Sequence, residues 1–314
     1  MRNAEITLLT NCTSRKRRPA MPELMARTLP KGGLIATSEE WVSRLEVARY
    51  RFVASHLYCG RAVTETLKAA EAVGAEVAFL SAGLGIVERY QQVPSYSLAA
   101  SPGYPDSVCA RITETYDAAS WWGALARAQG TEQPLARFIE RSGSSLNLVA
   151  MPAGYLGMVA RDLAGLPAKT LKTVRIIGPR HREEIDVRLQ ENWLPYDARL
   201  DSPNTGMNGT ASDFPHRALW HFVSNVLPNN TGGSNQRHVE AVENALSKFE
   251  AYVRPRGQNT SDDDVISAIS TVWKKHSGRR ASILRELRSE LNIACEQSRF
   301  RKLADKVEEK LNAP

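Results

Sequence analysis

ITLLTNCTSRKRRPA, residues 6–20, runs from an apolar stretch through Asn11-Cys12-Thr13-Ser14 into four consecutive cations, Arg15, Lys16, Arg17 and Arg18. A buried strand that empties into polar groups and dense positive charge has the make-up of a phosphate-binding strand end. Turn N–H groups, hydroxyls and fixed cations together suit a nucleotide or a nucleic-acid backbone. A solvated basic loop after an edge strand accounts for the same residues, so the choice rests on the rest of the chain.

Working outward, the first strand is expected over Glu5–Thr10, and three more β-rich runs follow at Glu76–Ser81, Leu146–Met151 and Thr173–Ile177. These three end in AGLG, PAGYLG and GPRHR, all small, polar or Gly/Pro-containing. Helical periodicity covers Glu39–Tyr58, Arg61–Val73 and the Asp106–Gln129 segment. Buried strands alternating with amphipathic helices predict an α/β domain, a largely parallel central sheet flanked by helices. Ligands of such sheets sit beyond the carboxyl ends of the strands, where these loops converge.

Residues 197–213 form a long Gly/Asn/Ser-rich connection, the kind of loop able to carry Asp201 over a cleft as a lid. A helix is expected from about Phe214 to Val226, with Ser212 or Asp213 as N-cap and Pro215 in its first turn. Residues 228–236 and 254–264 have linker composition. The expected organisation is therefore an α/β domain over 1–227, a linker with a helix over 228–263, and a small all-α domain over 264–314. Its three helices, Asp264–His276, Ala281–Leu291 and Glu296–Leu311, have helix-turn-helix spacing, with NIAC (292–295) as the turn. Arg299, Arg301 and Lys302 on the third helix are the expected DNA contacts, although a generic three-helix bundle with a solvated basic face fits the same pattern.

The composition, 42% hydrophobic and 24% charged, is that of a globular protein, and the net charge of +7 suits a polyanionic partner. No apolar stretch is long enough to span a membrane and the N-terminus is no signal peptide, so a cytoplasmic protein is expected. Cys12, Cys59, Cys109 and Cys295 lie far apart without a C-x-x-C pair, and the histidines show no ligand spacing. Neither a metal nor a cofactor is therefore expected. Walker A, G-x-G-x-x-G and G-x-S-x-G signatures are missing; LSAGLGIV (80–87) holds only a G-x-G.

Taken together, LLTNCTSRKRRPA and AFLSAGLGIVERYQQVPSYSLAAS resemble a bacterial superfamily with SCSKSK-like loops after strand one and LSAKYGLL…PYD-like second motifs. That superfamily includes peroxide-stress DNA-binding proteins and proteins of nucleobase-modification and phage-defence clusters. The chain looks closest to the defence DNA glycosylases that excise glucosylated hydroxymethylcytosine. The resemblance covers roughly residues 5–225. It implies a DNA N-glycosylase that flips a modified base out of double-stranded phage DNA and leaves an abasic site. A non-catalytic DNA-binding stress or regulatory protein is the alternative, and a nucleoside or nucleotide hydrolase or base transferase is a third. Two positions depart from the pattern: Asn11-Cys12 replaces SC, and Ser97 stands where an acid is common.

Glycosidic cleavage needs a pocket for the base, phosphate clamps and a group that stabilises an oxocarbenium-like sugar. Asn11 is a candidate to orient a base edge or a water, unless it only caps an Asx-turn. The carboxylate is sought among Glu88, Asp201 and Asp213, with Asp106 as a further candidate and Asp213 equally suited to an N-cap. Thr13, Ser14, Arg15, Lys16, Ser81, Gly83, Tyr96, Tyr155 and Arg180 are expected to bind substrate, with Tyr104 and Trp122 as further aromatic walls. Arg17 and Arg18 are expected on DNA. If the loop touches phosphate, Arg15→Ala with Lys16→Ala lowers duplex affinity and flattens the plot of log affinity against log salt by about one unit for each phosphate no longer neutralised. An unchanged slope in filter-binding titrations would show that the loop does not touch phosphate.

Overall fold

Strand β1 (Ile6–Asn11) occupies the centre of a five-stranded sheet, between two parallel neighbours. The computed structural model describes residues 5–252 and 257–312, and the chain divides into one unit over residues 1–252 and another over 253–314. In chain order the first unit adds α1 (Leu34–Glu46), β2 (Phe52–Val53), α2 (Ala54–Leu57), α3 (Arg61–Val73), β3 (Glu76–Ser81), β4 (Gly85–Glu88) and β5 (Gln92–Val93). It continues with α4 (Ala118–Ala128), α5 (Pro134–Ser142), β6 (Leu146–Ala150), α6 (Ala153–Leu163), α7 (Ala168–Leu171), β7 (Val174–Ile177), α8 (Phe214–His221) and α9 (Asn235–Leu246). The sheet order is β4-β3-β1-β6-β7, parallel except for β4, which returns antiparallel along β3. The α/β class with a largely parallel sheet is thus the observed one.

Adjacent residues of a strand point to opposite faces, and β1 shows the consequence. Leu8, with Phe79, Leu148 and Ile177, packs into the apolar cluster under α1, α3, α8 and α9. Leu9, with Leu80, Val149 and Ile176, packs under α5 and α6. Strands buried on both faces read as continuous apolar runs, which is why these are legible.

Three expected elements differ. The run Glu39–Tyr58 is not one helix: α1 stops at Glu46, and Phe52–Val53 pair with Gln92–Val93 in a two-stranded ribbon. Phe and Val are strand formers, and the pairing partner across the fold overrides the helical period. In Asp106–Gln129 the α-helix starts only at Ala118, where the Asp117 carboxylate accepts the Ser120 N–H at 2.9 Å. The helix expected within the 228–263 linker is α9, but it is no linker element: it buries Val242 and Leu246 in the first unit's core. Its His238 takes a hydrogen bond on Nδ1 from Arg175 Nε of β7 at 2.9 Å. The first unit therefore extends through α9; residues 254–256 of the second expected linker lie outside the described residues.

The second unit is a bundle of α10 (Asp262–Trp273), α11 (Arg280–Ser289) and α12 (Gln297–Asn312) around Val265, Ile269, Ile283, Leu287, Phe300 and Leu303. Among the described residues no helix is long and apolar enough to cross a membrane.

Because each unit has its own apolar cluster, a chain ending at Tyr252 keeps the cooperative melting of the first unit. A chain ending before α9 loses the burial of Val242 and Leu246, about 4 kcal/mol, and melts roughly 10 °C lower. Equal melting temperatures for the two truncations would contradict the packing of α9.

Candidate active site

The chain leaves β1 for α1 and then α3, both on one face of the sheet, and leaves β6 for α6 on the other. The β1 and β6 loops therefore leave the carboxyl edge toward opposite faces, which makes the edge between them a switch point of the kind at which such sheets bind ligands. Asn11 ends β1 there. Cys12 N–H still reaches Leu80 C=O at 2.8 Å, and Asn11 Nδ2 donates to Cys12 C=O at 3.0 Å. Asn11 Oδ1 is buried with no hydrogen-bond partner among the described residues. Buried acceptors are nearly always satisfied, so this one is unused capacity at the edge where a ligand is expected.

The basic loop then pairs back on the chain around Tyr58. Cys59 N–H donates to Arg15 C=O at 3.2 Å and Arg17 N–H to Leu57 C=O at 2.9 Å, bracketing an antiparallel bridge between Lys16 and Tyr58. Extended backbone alternates its side chains: Arg15 and Arg17 are exposed, while Lys16 turns inward and is half-buried. Lys16 Nζ lies 4.1 Å from the centre of the Tyr96 ring and 5.7 Å from that of Tyr58, and donates to Thr13 C=O at 3.4 Å. Among the described residues it has no ion pair. Burial pulls its pKa below the usual lysine value. Thr13 is a brace, its hydroxyl shared between Arg15 C=O (2.8 Å) and Cys59 C=O (3.0 Å). Ser14 and Arg18 are exposed, and Arg17 and Arg18 line a hollow of about 380 Å³ with Phe52, His56 and Leu57.

Tyrosines form the inner wall. Ser81 Oγ accepts the N–H groups of Gly83 (3.1 Å) and Leu84 (2.9 Å), which leaves its proton for Tyr96 Oη at 2.5 Å. Tyr96 Oη also stands 3.1 Å from Tyr58 Oη and 3.5 Å from Cys12 Sγ, and Cys12 Sγ is 3.6 Å from Tyr155 Oη. Burial raises the pKa of all three phenols, which therefore stay protonated. Gly83 is needed for this close approach: a Cβ there would meet the Tyr96 ring at 2.7 Å. Ser81, Gly83, Tyr96 and Lys16 thus come together, with Tyr155 joined to them through Cys12 and Asn11 one residue before it at the end of β1. Tyr104 is exposed, and Trp122 is buried with its indole N–H on Asp162.

The expected carboxylates do not join them. Glu88 is expected near the carboxyl edge, but the antiparallel return of β4 sets Gly85 at that edge and carries Glu88 back beside Ala78, where it is exposed and paired with Arg141 at 2.5 Å. Asp213 Oδ1 accepts from Arg217 Nε at 2.7 Å and from Thr210 N–H at 2.7 Å, closing a capping box. Asp201 Oδ1 stands 2.8 Å from Arg217 Nη1, an ion pair not aligned as a hydrogen bond, and Asp201 Oδ2 accepts from Arg180 at 2.6 Å. Arg180 also lies over the Phe214 ring at 4.0 Å, so this expected clamp is already engaged. The 197–213 segment is consequently pinned by its own aspartates. Asp106 ties loops together, accepting from Ser97 Oγ at 2.7 Å and pairing with Arg27.

In the second unit Arg299 is held by Asp262 at 2.7 Å and by Thr260 C=O, whereas Arg301 and Lys302 are exposed. A cleft of about 660 Å³ lined by Lys172, Arg182, Arg188, Asn192, Trp193 and Asn235 runs beside the edge strand β7. No group of three or more His, Cys, Asp or Glu able to hold a metal occurs among the described residues. Tyr58 and His216 carry no sequence signal, one inside an apparently helical run and the other inside a helix. No protein-family model, curated protein or solved structure matches the chain.

His216 Nε2 is 2.8 Å from Thr10 Oγ1 on the strand that delivers Asn11, and burial lowers its pKa to about 4. Free imidazole titrates near 6.5, so the unfolded chain takes the proton first as pH falls. Stability contributed by neutral His216 is therefore complete above about pH 6.5 and lost progressively down to about pH 4, by roughly 3 kcal/mol. His221, also lowered to about 4 by burial, adds to the same window. In melting curves from pH 7 to 4, His216→Gln loses less stability than the parent. Equal losses would exclude His216 as a titrating group.

Proposed function

We propose that this protein is a DNA N-glycosylase that extrudes a modified, cytosine-type base from duplex DNA, with phage DNA its natural substrate, and leaves an abasic site. The observation that carries the reading is the set of groups at the end of β1: an amide with an unused acceptor (Asn11), and, beside the next residue Cys12, protonated tyrosines and an amine that has no ion pair among the described residues (Lys16). The exposed Arg15, Arg17 and Arg18 adjoin them. A flipped base needs an edge reader and an aromatic wall, and its flanking phosphates need cations. Arg301 and Lys302 of the second unit supply sequence-independent grip. The motif resemblance and the net charge of +7 point the same way.

A second reading, a non-catalytic DNA-binding protein, draws on one specific observation: Glu88, Asp201 and Asp213 are all ion-paired. The two separate on plain DNA and on DNA with glucosylated hydroxymethylcytosine, assayed for free base by mass spectrometry and for alkali-labile sites. Base released only from the modified DNA supports the glycosylase; binding without release supports the alternative.

Asn11→Ala removes one short polar group and costs at most about 1–2 kcal/mol of stability. Duplex affinity is retained while base release falls on the order of a hundredfold, the loss expected when a group aligned with the reacting centre is removed. Undiminished release by a stable Asn11→Ala protein would assign Asn11 to the turn alone.

A further inference from the structure

We propose that Lys16 is the nucleophile of base excision, and that its amine holds the abasic product as a Schiff base, which gives the protein an abasic-site lyase activity. The proposal rests on the glycosylase reading and names the group that does its chemistry.

Three observations carry it. The bridge to Tyr58 fixes the Lys16 backbone and turns its amine, alone among the four cations of the loop, inward onto the Tyr96 ring beside the ends of β1 and β3. Among the described residues Nζ has no ion pair, only a long hydrogen bond to Thr13 C=O and the Tyr96 ring face. The carboxylates suited to stabilising a sugar cation are held elsewhere, Asp201 and Asp213 by Arg217 and Glu88 by Arg141. A half-buried amine with no counter-ion is the type of lysine that gives up its proton and attacks carbon; desolvation lowers its pKa.

The steps balance without a cofactor. The nitrogen lone pair of neutral Lys16 forms a bond to C1′ as the bond from C1′ to the base nitrogen breaks, and the base departs with that electron pair. The base takes up the proton that the alkylated nitrogen sheds. The remaining nitrogen lone pair then expels O4′, which is protonated by water, and leaves a C1′=N iminium. Water adds to C1′ to return the amine and the abasic aldehyde. Alternatively, water removes a C2′ proton and the C3′–O bond breaks, releasing the 3′ phosphate and cutting the strand. Every intermediate on Lys16 after attack is either neutral or a cation, and the Tyr96 ring face that receives the ammonium receives the iminium equally well.

The test uses the full chain and a duplex carrying one preformed abasic site, with sodium borohydride to reduce any imine to a stable secondary amine. The expected result is a protein–DNA adduct mapped by mass spectrometry to Lys16. Lys16→Arg, which keeps the charge, and Lys16→Met both lose the adduct at least fiftyfold while melting as the parent does. In parallel, Lys16→Arg is assayed for base release from glucosylated DNA, where at least a hundredfold loss is expected. Base release by the parent with no adduct, an adduct on another lysine, or undiminished release by Lys16→Arg overturns the proposal and leaves the glycosylase reading standing. An adduct on Lys16 with no base released from any modified DNA overturns both the reading and the excision step, and leaves a lyase.

Discussion

A guanidinium that is 1% exposed cannot remain unpaired, and Arg217 of α8 meets that condition by drawing the chain around itself. Asp213 sits one turn away, Asp201 comes from the far end of the 197–213 segment, and the carbonyls of Met207 and Thr210 complete the shell. The consequences spread through the first unit. A segment whose composition suggests a mobile lid is closed onto α8. Arg180, at the end of β7, is drawn to the same Asp201. Two acids that a hydrolytic site would want are thereby withdrawn from it. Removing one partner of such a buried cluster strands the others, so these residues answer to folding before they answer to chemistry.

With those acids occupied, the reactive groups left at the carboxyl edge are of another kind. They are an amide, an amine, a thiol and three phenols, gathered where β1 and β6 send their connections to opposite faces. This convergence is a property of the topology. A parallel strand delivers its last residue to the same edge as its neighbours, and the change of face between β1 and β6 makes that edge a switch point. The neighbouring cations divide by the period of extended backbone, with Arg15 and Arg17 outward and Lys16 inward. One short bridge to Tyr58 thus separates residues suited to meeting phosphate from one suited to meeting carbon.

How much of this was legible in the sequence depends on how local each cause is. The four parallel strands were readable because burial on both faces writes an unbroken apolar run, and each strand end then located Asn11, Ser81 and the start of α6 within a residue. The hairpin return of β4 was not readable from AGLGIVE, and it alone removes Glu88 from the site. Tyr58 was hidden in an apparently helical run because the partner that makes Phe52–Val53 a strand lies some forty residues on. Asp213 was legible as the residue before α8, but its carboxylate does not cap that helix: it closes the box of the preceding turn and pairs with Arg217, which required knowing that α8 is buried all round. Asp201 offered no local sign at all.

The same distinction bears on the order of events at the carboxyl edge. Asn11 and Lys16 are held by different constraints: the first by the β1–β3 ladder, which continues through Cys12, the second by the bridge to Tyr58. The Tyr96 ring ties the second to the sheet, since its hydroxyl is anchored on Ser81 at the end of β3 while its face receives the Lys16 amine. A ligand that engages the Asn11 acceptor from the sheet side and the amine from the loop side therefore closes a circuit already complete on its protein half. The Tyr96 hydroxyl is held from three sides, by Ser81, Tyr58 and Cys12, so the ring face that receives the amine is fixed by the sheet end and not by the loop. Position, more than acidity, is what this wall of tyrosines imposes on the lysine.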